Sequence, residues 1–166
     1  MPILILNQFT NPQKRDILRR YRMSNNPNLD KDMIFKRLHK LDEVYEKLVD
    51  LQSLSQEDYL SNYRNLYSSQ RLLEFAINIC IDIGAHVESV LVGKAPETFI
   101  DIWINLNKNN YISDQLTNKM KEMVRFRNKL GHYYMDIDDS MVYIILKENI
   151  DDFLKFKQEI MKILEK

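Results

Sequence analysis

The stretch FAINICIDIGAHVESVLV, residues 75–92, is apolar on nearly every face a helix would present. A helix of that kind has no side to give to water, so it must be surrounded by other elements. This predicts a bundle built around one long central helix, running over roughly residues 66–92. Its polar exceptions are ordered: Gln70, Glu74, Asn78, Asp82 and His86 recur every four residues and form one stripe. Such a stripe either faces solvent or lines a cleft or partner surface.

The surrounding segments supply the neighbours. Ile34, Leu38, Leu41, Tyr45 and Leu48 are spaced 4, 3, 4, 3, which marks one amphipathic helix starting at Asp30. Ser55, with Glu57 and Asp58 behind it, opens the stretch that becomes the central helix. A short helix is expected after Pro96, around residues 97–106, with Trp103 on it. Another should start at Ser113-Asp114 and end at Gly131, read as a left-handed C′ residue. Asp138, Asp139 and Ser140 begin the last helix, with Val142, Leu146, Ile150, Phe153, Ile160 and Ile163 on its apolar face. The expectation is an all-α bundle of four long helices and one short one. Only three glycines and four prolines occur in 166 residues, which argues against a turn-rich all-β fold.

The N-terminal 29 residues differ from the rest. They hold three of the four prolines and no sustained helical period. Lys14, Arg15, Arg19, Arg20 and Arg22 face Asp16 alone there, a net +4, so the remaining 19 basic and 23 acidic residues carry −4. Residues 1–29 are therefore expected to be an extension, loosely attached or a short ordered arm, ahead of one helical domain at 30–166. Met23, in MSNNPNLDKD, reads as a natural start with residues 1–22 upstream of it. The acidic domain excludes a broad nucleic-acid-coating face, so any contact with nucleic acid must use a few focused cations. One cysteine allows no intrachain disulfide, and no apolar run approaches the roughly 18 residues of a membrane span. MPILILNQF lacks the basic and apolar parts of a secretion signal, so the expected location is cytoplasmic, away from membranes.

The segment before residue 131 carries the chemistry. Its apolar stripe reads Leu116, Met120, Met123, and the next position in the 4-3-4 series is Arg127. A guanidinium where an aliphatic side chain belongs needs a partner or a purpose. Ending the helix at Gly131 would let His132 fold back toward it, with Asn128 placed to orient a phosphate or ring nitrogen. Arginine can hold charge developing on phosphorus in a bidentate fork, and histidine can move protons near neutral pH. RNA brings its own nucleophile, the 2′-hydroxyl, so no metal-bound water and no cofactor is required. A single histidine cannot be both base and acid at once, and a two-fold dimer would supply the second. Alone, an Arg-x4-His pair has a purely structural reading more readily than a catalytic one.

RNKLGHYY, however, resembles the Arg-x4-His-x-Tyr signature of HEPN-domain ribonuclease toxins of the HepT-like group. QRLLEFAINICIDIGAHV resembles that group's central helix, including Arg71, Asp82 and His86. MVRFRNKLGHYYMDID and VYIILKENIDDFLKF resemble its motif helix, loop and last helix in order, so the likeness covers residues 31–165. The resemblance implies a homodimer with an RNA site at its cleft and metal-independent endoribonuclease activity. It assigns Arg127 and His132 as the catalytic pair and Asn128 as a substrate contact, with Arg71 and Asp82 as further candidates. It also implies that Tyr134 is AMPylated by a cognate nucleotidyltransferase antitoxin of the MNT type, which silences the toxin. This chain lacks a nucleotidyltransferase pattern of its own, so the antitoxin is expected to be a separate chain. One departure is Gln70-Arg71-Leu72-Leu73-Glu74, where the group often has Glu-Arg-x-x-Gln. The alternative from another class is a non-catalytic HEPN module that binds a nucleotide or nucleotidyltransferase partner. His39 is expected to be solvated, Cys80 to be a small core residue, and His86 to be structural or cleft-lining.

Overall fold

The computed structural model describes residues 29–93, 96–131 and 138–165. These form helices only: α1 (Lys31–Gln52), α2 (Gln56–Ser61), α3 (Tyr63–Leu91), α4 (Phe99–Lys108), α5 (Asp114–Leu130), α6 (Asp139–Glu148) and α7 (Asp152–Leu164). The expected all-helical architecture holds, with α3 at its centre, packed against each of the others. The N-terminal extension lies outside the described residues.

Local chemistry sets most boundaries. Asp30, Ser55, Ser113 and Asp138 each accept a backbone N–H from the first turn of the helix they precede. Thr98 and Asp101 close a reciprocal capping box on α4. Ser113 is further held by Glu159 of α7, whose carboxylate takes its N–H at 2.8 Å and its hydroxyl at 2.6 Å.

Three local expectations are corrected. The stretch opened by Ser55 is broken at Asn62, whose extended backbone (φ −121°, ψ 108°) ends α2 and whose side chain caps α3. The last helix is two helices, parted at Asn149–Asp151, where the Asp151 carboxylate accepts the Tyr45 hydroxyl of α1 at 2.6 Å. Gly131 is not left-handed: it sits at φ −73°, ψ −9°, because its N–H continues the ladder to Arg127 O at 3.1 Å. The left-handed glycine is Gly93, φ 71°, which follows the end of α3.

Gly84 answers to packing instead. A Cβ there would lie 2.4 Å from Cη2 of Trp103, whose ring is fully buried and set edge-on to Phe156. α3 and α4 cross where only a hydrogen leaves room. Gly84→Ala should therefore lower stability by about 1–3 kcal/mol, despite alanine's better helix propensity. A urea midpoint unchanged or raised in G84A would show that the indole moves aside freely. Cys80 is buried, as expected for a core residue, and burial pushes its thiol well above the usual range.

Candidate functional site

The stripe on α3 is a polar seam shared with its neighbours, not a strip facing solvent. A four-residue step advances about 40° beyond a full helical turn, so the stripe fans slowly around α3. Successive members therefore reach different helices. Gln70 donates to Asp139 of α6 at 3.2 Å. Asn78 accepts from Arg127 Nε of α5 at 3.0 Å. Asp82 pairs with Arg37 of α1 at 3.4 Å. His86 Nε2 accepts the Asp30 N–H at 3.0 Å, tying α3 to the N-terminus of α1. Glu74, largely buried, takes Arg71 of its own helix at 2.8 Å.

Arg127 is only 7% exposed, where the apolar stripe of α5 put it. Among the described residues its partners are neutral: the Asn78 amide oxygen, and the ring of Phe99, whose centroid lies 5.8 Å from the guanidinium carbon. An amide oxygen and a π face hold a cation without cancelling its charge, as a carboxylate would. Among the described residues, the fork is thus oriented through Nε by a neutral oxygen, with a π face beside it.

The other expected site residues are distributed as follows. Asn128 is exposed, about 100° around α5 from Arg127, so the two side chains leave the helix in different directions. Arg71 is mostly exposed and lies two turns before Asn78, within about 20° of the same line along α3. Asp82 is one turn past Asn78, its carboxylate engaged by Arg37. His132 and Tyr134 lie outside the described residues. Arg37 and Phe99 carried no sequence signal of a role, because each acts through a residue far away in the chain. Asn78 was visible as a member of the stripe, but its partner was not. An apolar cavity of about 150 Å³ between α3, α5 and the α6–α7 corner, lined by Leu73, Met123, Phe126 and Phe153, does not include Arg127.

His39 is exposed beside Glu43, as expected of a solvated residue. His86 is buried, and burial, aided by Arg37 and opposed by Asp30, holds its pKa below the ordinary value. The unfolded chain then binds more protons, so stability from this group is complete above about pH 6.5 and lost as pH falls through the lowered value. The urea midpoint should drop more between about pH 7.5 and 5.5 in wild type than in His86→Gln, whose amide oxygen can accept the Asp30 N–H without titrating. Equal drops would remove His86 as the cause.

Comparison with known proteins places this arrangement. The fold is that of a solved tri-AMPylated HEPN toxin of Shewanella oneidensis in complex with MNT antitoxin (TM-score 0.74, 21% identity, covering 80% of this chain and 98% of that one). It is also that of YutE from Bacillus subtilis, a cytosolic protein of unknown function (TM-score 0.70, 20% identity, covering 82% and 92%). Residues 41–160 match the family model described as "Ribonuclease HepT-like", and the chain belongs to that family. A relative from Aphanizomenon flos-aquae named tRNA nuclease HepT is 26% identical over 137 residues, 82% of this chain and 93% of its own. One from Shewanella oneidensis named mRNA nuclease HepT is 29% identical over 84 residues, 51% and 63%. The resemblance read from RNKLGHYY and the central helix is thus family membership. No helix among the described residues is long and apolar enough to cross a membrane.

Proposed function

We propose that this chain is the ribonuclease toxin of a toxin–antitoxin pair, cutting RNA without a metal at Arg127 and His132. The observation that supports the reading is Arg127 itself: a buried guanidinium held, among the described residues, by neutral groups, in the segment that resembles the Arg-x4-His motif. In the proposed reaction the RNA 2′-hydroxyl loses its proton to one histidine and its oxygen bonds to phosphorus. The bond from phosphorus to the 5′-oxygen breaks, and that oxygen takes a proton from a second histidine. The products are a 2′,3′-cyclic phosphate and a 5′-hydroxyl. Arg127 stabilises the charge that builds on the phosphoryl oxygens in between. His132 of each copy in a homodimer supplies the base and the acid.

Asn128 and Arg71 are proposed as substrate contacts. Asp82, a carboxylate that would repel phosphate, is instead paired with Arg37 of α1. The partner proposed is an MNT-type nucleotidyltransferase antitoxin, a separate chain that transfers AMP to Tyr134. The solved HEPN toxin with MNT antitoxin supports this pairing. AMP on Tyr134 would add negative charge and bulk beside the Arg127 motif, which accounts for silencing.

The −4 balance outside the first 29 residues favours a second reading, a HEPN module that binds a nucleotide or nucleotidyltransferase without cutting RNA. Expression of wild type and His132→Ala under a tight promoter separates the two. The nuclease reading expects growth arrest and new RNA ends in wild type, both absent in a folded H132A, and the mapped ends name the RNA. A folded, unmodified wild type that leaves growth and RNA unchanged supports the binding module.

A further inference from the structure

The start of α3 carries two exposed rings that the Arg127 site as described leaves without a role. Tyr63 and Tyr67 are 63% and 70% exposed, and their rings meet edge-on with centroids 6.5 Å apart. The Arg64 guanidinium lies over the Tyr63 ring at 5.9 Å. Arg71, one turn after Tyr67, is exposed as well. Two large rings left in water and in edge contact with each other offer flat apolar faces to a ligand.

Their position gives the ligand's class. Tyr67, Arg71 and Asn78 fall within about 40° of one line along α3, and Tyr67 lies about 16 Å before Asn78. Asn78 is the residue that holds Arg127. The face that begins with two tyrosines and two arginines therefore points along α3 toward the proposed cleavage site, with Glu74, held by Arg71, between them on the same line. Of the carboxylates around it, Glu74 is paired with Arg71, while Asp58 and Asp139 take hydrogen bonds from the Ser55 hydroxyl and the Gln70 amide and keep their charge, so Arg64 is the cation left to the strand beside the rings. Aromatic faces flanked by guanidinium groups suit unpaired bases and their phosphates, since stacking accepts every base and the cations follow the backbone.

We infer that Tyr63 and Tyr67, with Arg64, form a stacking platform for a single-stranded segment of the RNA whose scissile phosphate sits at Arg127. The inference rests on the ribonuclease reading for the role of the bound strand. It makes the enzyme select RNA that is unpaired next to the cut, with the acidic remainder of the surface discouraging contact elsewhere.

The test uses the full chain and a fluorescein-labelled 2′-O-methyl oligouridine, which has no free 2′-hydroxyl and so cannot be cut by the proposed reaction. Binding is followed by fluorescence anisotropy, and folding by thermal midpoint. Y63A/Y67A should weaken binding roughly tenfold to a hundredfold, and Y63F/Y67F, which keeps both rings, should bind as wild type does. On a cleavable single strand the alanine pair should raise KM far more than it lowers kcat. Equal affinity in wild type and Y63A/Y67A overturns the platform, as does a wild type that does not bind the oligouridine. So does an alanine pair that keeps RNA affinity but loses self-association or antitoxin binding, which would assign the surface to a protein. The ribonuclease reading fails separately: Y63A/Y67A loses oligouridine binding, yet wild type leaves every RNA uncut.

Discussion

Replacing Arg127 by lysine should lower the proposed RNA cleavage by roughly 10²–10³-fold, the scale seen when one preorganised donor to a developing oxyanion is lost. The charge is kept, so the effect isolates geometry. A guanidinium can donate Nε to Asn78 and still turn a two-pronged edge toward phosphate, whereas an ammonium is one point on a flexible stem. The loss should fall on kcat with KM little changed, because the interaction strengthens as charge develops on phosphorus. Asn78→Asp should also impair cleavage, by replacing the neutral oxygen that accepts from Arg127 Nε with a carboxylate. Single-turnover cleavage and thermal midpoints on the three proteins check both statements. Full activity in a folded R127K would mean that the guanidinium is a packing element of α5.

Replacing Tyr134 by phenylalanine should abolish the proposed silencing. In the proposed modification the phenolic oxygen attacks the α-phosphorus of ATP and displaces pyrophosphate, so removing that oxygen removes the acceptor. Coexpressed with a cognate nucleotidyltransferase, wild type should gain mass in units of AMP and lose toxicity. Y134F should gain none and keep arresting growth, while Tyr133→Phe should behave as wild type. Intact mass and growth on plates read the result. AMP still added to Y134F, with growth restored, would move the acceptor elsewhere, Tyr133 being the first residue to test.

The parts of this structure that were legible in the sequence are those decided within one turn of the chain. Asp30, Ser55, Ser113 and Asp138 were readable as caps because the cap and the N–H it accepts are neighbours. The all-round apolar helix identified the bundle and its centre because burial on every side is a property of one segment. The breaks at Asn62 and Asn149 were hidden, since apolar spacing continues across both: Leu146, Ile150 and Phe153 keep a 4-3 rhythm whether or not the helix does. The parts played by Gly131 and Gly84 were hidden for the same reason. One looked like a terminator and is a right-handed cap, while the other matters only because Trp103 arrives from a different helix.

The site divides along the same line. Arg127 stood out because it breaks an apolar series on its own helix, and the polar stripe stood out by its period. That the stripe is divided among α1, α5 and α6 follows from about 40° of drift per step, which is visible only once the neighbours have places. Asn78 and Arg127 are 49 residues apart, and nothing in either segment names the other.

The central claim, metal-independent cleavage by the RNA's own 2′-hydroxyl, is tested most directly by the chemistry of the cut ends. Purified, unmodified chain is incubated with single-stranded RNA in excess EDTA, and the termini are resolved by mass spectrometry. Cleavage should be undiminished and leave 2′,3′-cyclic phosphate and 5′-hydroxyl ends, absent in His132→Ala and strongly reduced in R127K. Cleavage that stops in EDTA and leaves 3′-hydroxyl and 5′-phosphate ends would contradict it, because those products require an activated water in place of the 2′-hydroxyl.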